Sequence, residues 1–176
     1  MQISVSQLLK EPIGATRDYK VSEIVDVIGD GNGRMVQGGV SLLRTHRGIL
    51  VKGVLHTEVE LTCSRCLSVF SYPVTLNINE EYIPTIDVVS GAPLPSVEEP
   101  GCFTINERHV LDLTEAIRQY VLLAIPMKPL CREDCAGLCP TCGHNLNLGA
   151  CDCPLQPVDP RWVALTKLAS ERKGMD

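Results

Sequence analysis

The first half of the chain alternates apolar and polar residues in four stretches that are rich in Val, Ile, Leu and Thr: YKVSEIVDVI, RMVQGGVSLLRT, GILVKGVLHTEVELTC and FSYPVTLNINEEYI. Partial alternation with turn residues in between is typical of half-buried strands. GDGNG and HRG supply two of the turns, because glycine accepts the positive φ of a tight hairpin. The pattern predicts an antiparallel sheet or a partly closed barrel, whose apolar face is covered by curling or by helices.

Two helices are predicted in the second half of the chain. LDLTEAIRQYVLLAIP has apolar residues at helical spacing, with Asp112 as N-cap, Glu115 as its capping-box partner and Pro126 as the stop. The tail DPRWVALTKLASERKG repeats this pattern, with Asp159 as cap and an apolar stripe that includes Trp162. The fold class expected is α+β, a β-sheet with two or more packed helices.

The chain divides by composition into a body and an accessory. Residues 84 to 101 contain four prolines, three acidic residues and two glycines, which indicates an exposed loop. We expect a β-rich body over residues 1 to 126, with this loop and a helix at 112 to 125. Residues 127 to 176 would form a small cysteine-rich element followed by the C-terminal helix.

Composition narrows the classes of function. Apolar residues make up 44% of the chain and charged residues 21%, as in ordinary globular proteins. Aromatic residues make up only 4% and the net charge is −5, which disfavours a surface of stacked aromatics or tight binding to phosphate backbones. There is no signal-like N-terminus and no apolar run near 18 residues, so we expect a soluble cytoplasmic protein without a membrane partner.

Six cysteines lie between residues 131 and 153, and close-spaced thiols in a reducing compartment more often bind metal than form disulfides. CPTCG is a zinc-knuckle sequence, and CDC follows eight residues later. We predict one tetrahedral Zn²⁺ site, with an iron–sulfur cluster or disulfides as alternatives. His144 is a less favoured ligand. The predicted ligands are Cys139, Cys142, Cys151 and Cys153, with Cys131 and Cys135 as alternates that could replace either thiol of CDC.

A second pair, Cys63 and Cys66, lies between two strand-like stretches. It is half of a second zinc site, a redox dithiol, or a knuckle used for its turn. Two plus six thiols would fill two four-cysteine sites and leave Cys102, which is interpreted as a buried small residue. A redox motif is expected between a strand and a helix, which disfavours that alternative here. Arg65 would then project outward from the tip of the turn.

Catalysis has little support in the sequence. A four-thiolate zinc site has no open position for water, and no nucleophile elbow or phosphate-binding loop is present. The histidines are scattered and none is matched to a nucleophile. We therefore expect a protein that is not an enzyme, has no small-molecule substrate, and acts by binding. These histidines are His46, His56, His109 and His144.

Several of these motifs together resemble one known family. CSRCL with FSYPV, then LDLTEAIRQYVLLAIPMKPLC, CAGLCPTCGHNLN with CDC, and DPRWVALTKL are similar, in this order, to the YceD family of bacterial and plastid proteins. The family is described as large ribosomal RNA subunit accumulation proteins. The resemblance implies a non-enzymatic role in the synthesis, processing or stability of that RNA. It highlights Cys63, Arg65, Cys66, Asp112, Leu113, Leu123 and Pro126.

The resemblance also bears on the partner. It implies ribosomal RNA, but the acidic charge suits a basic ribosomal protein of the large subunit better. Two other functions stay open: a thiol redox protein that uses Cys63 and Cys66, and a zinc-stapled adaptor unrelated to ribosomes.

Overall fold

A computed structural model of the chain describes residues 1 to 94 and 102 to 154. These residues form one seven-stranded mixed sheet with the strand order β1-β7-β6-β5-β4-β3-β2. They also contain one α-helix and a short 3-10 turn. The strands are β1 (Gln2–Ser4), β2 (Thr16–Val25), β3 (Arg34–Arg44), β4 (Ile49–Thr62), β5 (Val69–Pro84), β6 (Phe103–Ile105) and β7 (Val110–Asp112); the helix is α1 (Thr114–Ala124), and the 3-10 turn is Leu8–Lys10.

The strands β2 to β5 form the predicted meander, because each pairs antiparallel with the next. The expectation of a purely antiparallel sheet was wrong at one place. β6 pairs parallel to β5, with Tyr82 opposite Phe103. The chain between the two strands, residues 85 to 102, is long enough to return to the starting end of its neighbour, as a parallel connection requires. The sheet is therefore mixed and curls into a half-barrel.

The core lies on the inner face of this curled sheet. Along β4, Leu55, Thr57 and Val59 are buried, while His56, Glu58 and Glu60 between and beside them are exposed. This period of two is what the alternating sequence predicts. Helix α1 covers the core with a stripe that includes the fully buried Ile117 and Val121.

Helix α1 begins later than predicted. Asp112 ends strand β7, so its backbone is extended, and Leu113 takes the N-cap position. The Asp112 carboxylate still accepts the Thr114 N–H at 2.9 Å. The capping box does not form, because Glu115 instead accepts a hydrogen bond from the Gln119 side chain at 3.2 Å.

The second predicted helix, residues 159 to 174, lies outside the described residues, and so does part of the predicted loop at 84 to 101. The described part of the chain thus supports one packed α-helix where two or more were expected. None of the helices in residues 1 to 94 and 102 to 154 has the length and apolar character to cross a membrane.

Candidate metal centres

Eight of the nine cysteines gather into two groups of four, and within each group all sulfur atoms lie within 4.8 Å of one another. A tetrahedral zinc with Zn–S bonds of about 2.3 Å places its sulfur ligands about 3.8 Å apart. The groups therefore have the size of a metal–thiolate centre. Cluster A is Cys63, Cys66, Cys131 and Cys135, and cluster B is Cys139, Cys142, Cys151 and Cys153.

Cluster B is built locally and contains the four thiols that the sequence nominates first. The knuckle forms the turn of a short hairpin, in which the Leu146 N–H donates to the Gly137 carbonyl at 2.9 Å, and the CDC segment follows this hairpin along the chain. His144 contributes its backbone carbonyl, which accepts the Cys139 N–H at 2.8 Å, and its ring is not part of the cluster.

Cluster A is built from distant parts of the chain. Cys63 and Cys66 lie in the turn between β4 and β5, and the alternates Cys131 and Cys135 come from the segment after α1. The sulfur atoms of Cys63 and Cys135 are 3.8 Å apart, and those of Cys66 and Cys131 are 3.6 Å apart. Both distances match the edge of a metal–thiolate tetrahedron. The alternates thus lie with the first pair of cysteines and not with cluster B.

Cluster A has its own small apolar shell. Cys63, Cys66 and Cys135 are buried in a second hydrophobic group, separate from the main core. Sulfur ligands in such a shell are protected from water. The partly buried residues around them are Phe70, Leu130, Cys131 and Leu138.

Arg65 ties the two halves of cluster A together. Its residue is exposed, as expected for the tip of the turn, but its guanidinium donates to the Cys135 carbonyl at 3.0 Å and to the Glu133 carbonyl at 3.4 Å. A backbone hydrogen bond joins the same two segments, in which the Ser64 N–H donates to the Pro129 carbonyl at 2.8 Å. The turn of the sheet and the segment after α1 are therefore joined even before a metal is considered.

The two knuckles have the same hydrogen-bond pattern. In each, the residue after the second cysteine donates its N–H to the carbonyl of the first cysteine, and the first cysteine donates to the carbonyl five residues onward. A backbone N–H also points at the first sulfur in each turn, at 3.5 Å in cluster A and 3.4 Å in cluster B. The turn at Cys63 is thus a metal-type knuckle, although its sequence lacks the usual glycine.

Leu67 stands where that glycine would be, and sequence reasoning missed it. Its φ is 58°, in the left-handed region, compared with 74° for Gly143 in cluster B. The feature of the sequence that could have identified this turn is a Cys-x-x-Cys pair followed directly by leucine, between two strand-like stretches.

Backbone amides favour the thiolate form of the first cysteine in each knuckle. Burial opposes ionisation of Cys63, but hydrogen bonds from the backbone N–H groups of Cys131, Cys66 and Arg65 outweigh it and lower the pKa of Cys63 to about 6. Hydrogen bonds from the Cys142 and Thr141 amides lower the pKa of Cys139 to about 6 as well.

Other thiols in the clusters hold their protons more tightly. Burial, followed by hydrogen bonds with Cys66, Cys63 and Cys135, raises the pKa of Cys131 to about 12. A hydrogen bond with Cys142, followed by burial, raises the pKa of Cys153 to about 12. Four adjacent thiolates repel one another, and a bound cation would remove this repulsion. The donor set therefore suits a divalent metal ion.

Comparison with known proteins adds the family. The model of the family described as "Large ribosomal RNA subunit accumulation protein YceD" matches residues 51 to 169, a range that contains both clusters. An uncharacterized protein of Mycobacterium tuberculosis is 27% identical over 144 residues, which cover 82% of this chain and 67% of the relative. No solved structure matches the chain.

A plant relative carries a more specific name. "Large ribosomal RNA subunit accumulation protein YCED homolog 1, chloroplastic" of Arabidopsis thaliana is 27% identical over 168 residues, which cover 83% of this chain and 52% of the relative. The chain thus spans about half the length of that protein. An uncharacterized protein of Mycobacterium leprae is 28% identical over 120 residues, which cover 68% of this chain and 52% of the relative. With more than half of its residues matched by the family model, the chain belongs to the YceD family.

Proposed function

We propose that this protein is a non-enzymatic factor in the accumulation of large-subunit ribosomal RNA, and that it acts in ribosome biogenesis in the cytoplasm. The observation that carries the proposal is the family match over residues 51 to 169. The Arabidopsis relative, whose name refers to the same RNA, supports it. The partner would be ribosomal RNA or a large-subunit ribosomal protein.

The proposal includes a Zn²⁺ ion in each cluster. Cys139, Cys142, Cys151 and Cys153 would hold one ion, and the sulfur spacing of all eight thiols supports this. Zinc prefers four thiolates in a tetrahedron, has no redox chemistry of its own, and leaves no open position when four thiolates bind it. Both ions would then stabilise the fold and would not supply a reaction centre.

Within this proposal, residues 1 to 126 form the body and residues 127 to 176 form the accessory. Among residues 1 to 94 and 102 to 154, the main hydrophobic core contains no buried cysteine, whereas the second hydrophobic group is built around cluster A. Cys63 and Cys66 would therefore be the place where the body holds the accessory. Arg65 supports this role through its hydrogen bond to the Cys135 carbonyl.

Depletion of the protein in its own host tests the role in RNA accumulation. We expect the ratio of large-subunit to small-subunit ribosomal RNA to fall, and expression of the full chain to restore it. An unchanged ratio after depletion would contradict the proposal. A total RNA profile from the same cells provides the measurement.

A redox role is the second candidate, because the lowered pKa of Cys63 is a feature of reactive thiols. The sulfur atoms of Cys66 and Cys131 are however only 3.6 Å apart, which is the spacing expected for two ligands of one metal ion. This geometry favours a metal site over a redox dithiol. Turnover of a disulfide substrate with a dithiol reductant would support the redox role. A metal-loaded protein that neither reduces nor oxidises such a substrate would exclude it.

A further inference from the structure

A small cavity lies at the turn between β3 and β4, outside both cysteine clusters. Its volume is about 250 Å³, less than the roughly 300–1,000 Å³ of pockets that enclose a drug-sized ligand. The β3–β4 turn, the segment after β5 and the 3-10 turn form its walls. The cavity therefore has room for a small polar group and the few atoms attached to it. The apolar part of its wall consists of Leu9, Pro84, Ile86, Val88 and Leu94.

Basic side chains form most of the polar wall of this cavity. Arg44, His46 and Arg47 line it, and none of them forms an ion pair within residues 1 to 94 and 102 to 154. His46 and Arg47 are exposed, whereas Arg44 is half-buried. Buried charges in proteins are usually paired. The described part of the chain thus leaves this group of cations without a counter-ion.

The guanidinium of Arg44 is held in place and still lacks a partner. Its Nη1 donates to the carbonyls of Thr45 and Gly48, at 2.9 Å in both cases. Its Nε is buried and has no hydrogen-bond acceptor among the described residues. A buried donor without an acceptor costs free energy, and the cost is larger for a charged group. An anion in the cavity would place a counter-charge beside this guanidinium.

One carboxylate in the same wall restricts the kind of anion. Oδ1 of Asp87 accepts the Val89 N–H at 3.1 Å, and the N–H and the hydroxyl of Ser90 at 2.7 Å each. Oδ2 of Asp87 accepts no hydrogen bond from the part of the chain that the structure describes. A free carboxylate oxygen repels phosphate oxygens but accepts a hydrogen bond from a hydroxyl group. A ligand that suits the whole wall therefore carries a phosphate and, a few atoms away, a hydroxyl group.

Other charges near the cavity do not belong to its lining. Glu81 lies beside the turn, where its carboxylate accepts the Thr45 hydroxyl at 2.7 Å. Lys10 is exposed and follows Leu9 in the chain. Glu98 and Glu99 lie outside the described residues, so the test uses the full chain that contains them. Within the lining, two arginines and a histidine face one carboxylate, which favours an anionic ligand.

We propose that this cavity binds one ribose-phosphate unit of the large-subunit ribosomal RNA. Arg44, His46 and Arg47 contact the phosphate, and Asp87 accepts a hydrogen bond from the 2′-hydroxyl of the ribose. The base stays outside because the cavity is small, so the contact does not depend on the RNA sequence. The 2′-hydroxyl is the group that distinguishes RNA from DNA. This inference rests on the proposed function and names RNA as the partner within it.

The net charge of the chain agrees with a local contact of this kind. A charge of −5 disfavours a broad phosphate-binding face, whose affinity comes from many Lys and Arg residues. A single cavity with a few cations instead contacts one or two phosphates. We therefore expect modest affinity that falls as salt is added.

The test compares the full metal-loaded chain with two variants of the cavity. Arg47→Gln removes an exposed cation whose side chain makes no hydrogen bond within the described residues. Asp87→Asn keeps the Oδ1 acceptor of the local turn and replaces Oδ2 by a donor. Lys128→Gln is the matched control, because it removes an exposed cation from the segment between α1 and cluster A. Equal metal content and melting temperature would show that all chains are folded.

The probe is a short labelled single-stranded RNA of mixed sequence, and binding is measured by fluorescence anisotropy. We expect the wild-type chain and Lys128→Gln to bind it at least about threefold more tightly than DNA of the same sequence. Arg47→Gln should weaken RNA binding by at least about fivefold and lower the slope of log affinity against log salt by about 0.7. Asp87→Asn should reduce the preference for RNA over DNA without weakening the binding of DNA.

Several results of this measurement would overturn the inference. These are no RNA binding by the wild-type chain, equal binding of RNA by all four chains, and equal affinity of the wild-type chain for RNA and DNA. An unchanged preference for RNA in Asp87→Asn would also contradict the ribose contact. Free AMP that competes as strongly as unlabelled RNA would show that the cavity takes a free nucleotide and not an RNA chain.

Rescue of depleted cells separates this inference from the proposed function. We expect depletion to lower the RNA ratio, Lys128→Gln to restore it, and the double variant of His46→Gln with Arg47→Gln to fail to restore it. If the double variant restores the ratio fully, the cavity is not the RNA contact and the ribosomal role stands. If depletion leaves the ratio unchanged, the proposed function fails, and the binding measurement still decides whether the cavity takes a ribose phosphate.

Discussion

Leu67 and Gly143 occupy the same position in two turns of the same hydrogen-bond pattern. Both have a positive φ, 58° and 74°, and both donate their N–H to the carbonyl of the first cysteine of the knuckle. One turn joins two strands of the sheet, and the other lies in the cysteine-rich segment. The two turns thus share one backbone conformation, in which N–H groups point at the first cysteine of the knuckle. A substitution at one position can therefore be compared with the reverse substitution at the other.

Substitution at these two positions should change stability in opposite directions. Leu67→Gly relieves a left-handed strain of about 1–2 kcal/mol but adds about 0.5–1 kcal/mol of backbone entropy to the unfolded chain. We expect a small net gain of roughly 0.5–1 kcal/mol in the free energy of unfolding. Gly143→Leu should lower it by a similar net amount of roughly 0.5–1 kcal/mol, because a Cβ there meets no atom within 4 Å and only the same two backbone effects remain, with opposite signs.

Urea unfolding of the metal-loaded protein measures both changes. A loss of stability in Leu67→Gly would contradict this expectation and would mean that the Leu67 side chain packs within the protein. The wild-type chain and Cys102→Ser, whose substitution lies outside both clusters, serve as references.

The metal content of single-cysteine variants should separate the clusters. We expect two zinc ions per wild-type chain, and one per chain in Cys139→Ser and in Cys63→Ser, because a tetrahedral site that loses a thiolate binds zinc much more weakly. The double variant Cys63→Ser with Cys135→Ser should still hold one ion, since both residues belong to cluster A.

Elemental analysis of freshly purified protein provides the count, and Cys102→Ser should keep two ions. A Cys135→Ser variant that lost the metal of cluster B and kept that of cluster A would show that Cys135 is a ligand of cluster B, in place of one thiol of CDC. Protein that contains no bound metal would contradict both sites.

Metal removal should loosen the accessory and spare the body. The sheet core is held mainly by aliphatic residues of β2 to β5 and of α1, and its buried members in the described part of the chain include no cysteine. Residues 127 to 154 have little apolar shell beyond that of cluster A, so metal binding there contributes folding free energy directly.

Hydrogen exchange before and after chelation measures this difference. We expect amide protection to fall by at least tenfold across residues 127 to 154, with β4 and α1 unchanged. Loss of protection across β4 as well would show that the body depends on the metal, and the division into body and accessory would be wrong.

The features predicted from the sequence are those with local causes. The alternation along β4 fixed its buried face, because a strand has a period of two. Cluster B was nominated from spacing alone, since its four ligands lie close together along the chain, between residues 139 and 153. The parallel strand β6 was missed because three residues carry no readable period. The sequence left open whether Cys131 joins CDC or the pair at Cys63 and Cys66, because Cys66 is 65 residues away along the chain.

The free energy of unfolding below about pH 4 should depend on the Asp112 carboxyl. Burial opposes ionisation of this carboxyl, but hydrogen bonds from Thr114 and Gln2 outweigh it and lower the pKa of Asp112 to about 2. The pKa in an unfolded chain is about 3.9. Because the folded pKa is the lower one, the stabilisation is fully present above about pH 4 and is lost as the pH falls towards 2.

Asp112→Ala should therefore lower the free energy of unfolding at pH 7 by roughly 0.5–1 kcal/mol, a modest value because the side chain is half exposed. The difference from the wild-type chain should shrink between pH 4 and pH 2. Urea unfolding at several pH values checks this, and metal loss in acid affects both proteins alike. Glu107→Ala, at an exposed carboxylate in the turn before β7, is the control and should show a smaller difference at pH 7. A difference between Asp112→Ala and wild type that stays constant down to pH 2 would show that the Asp112 side chain acts through its shape and not through its charge.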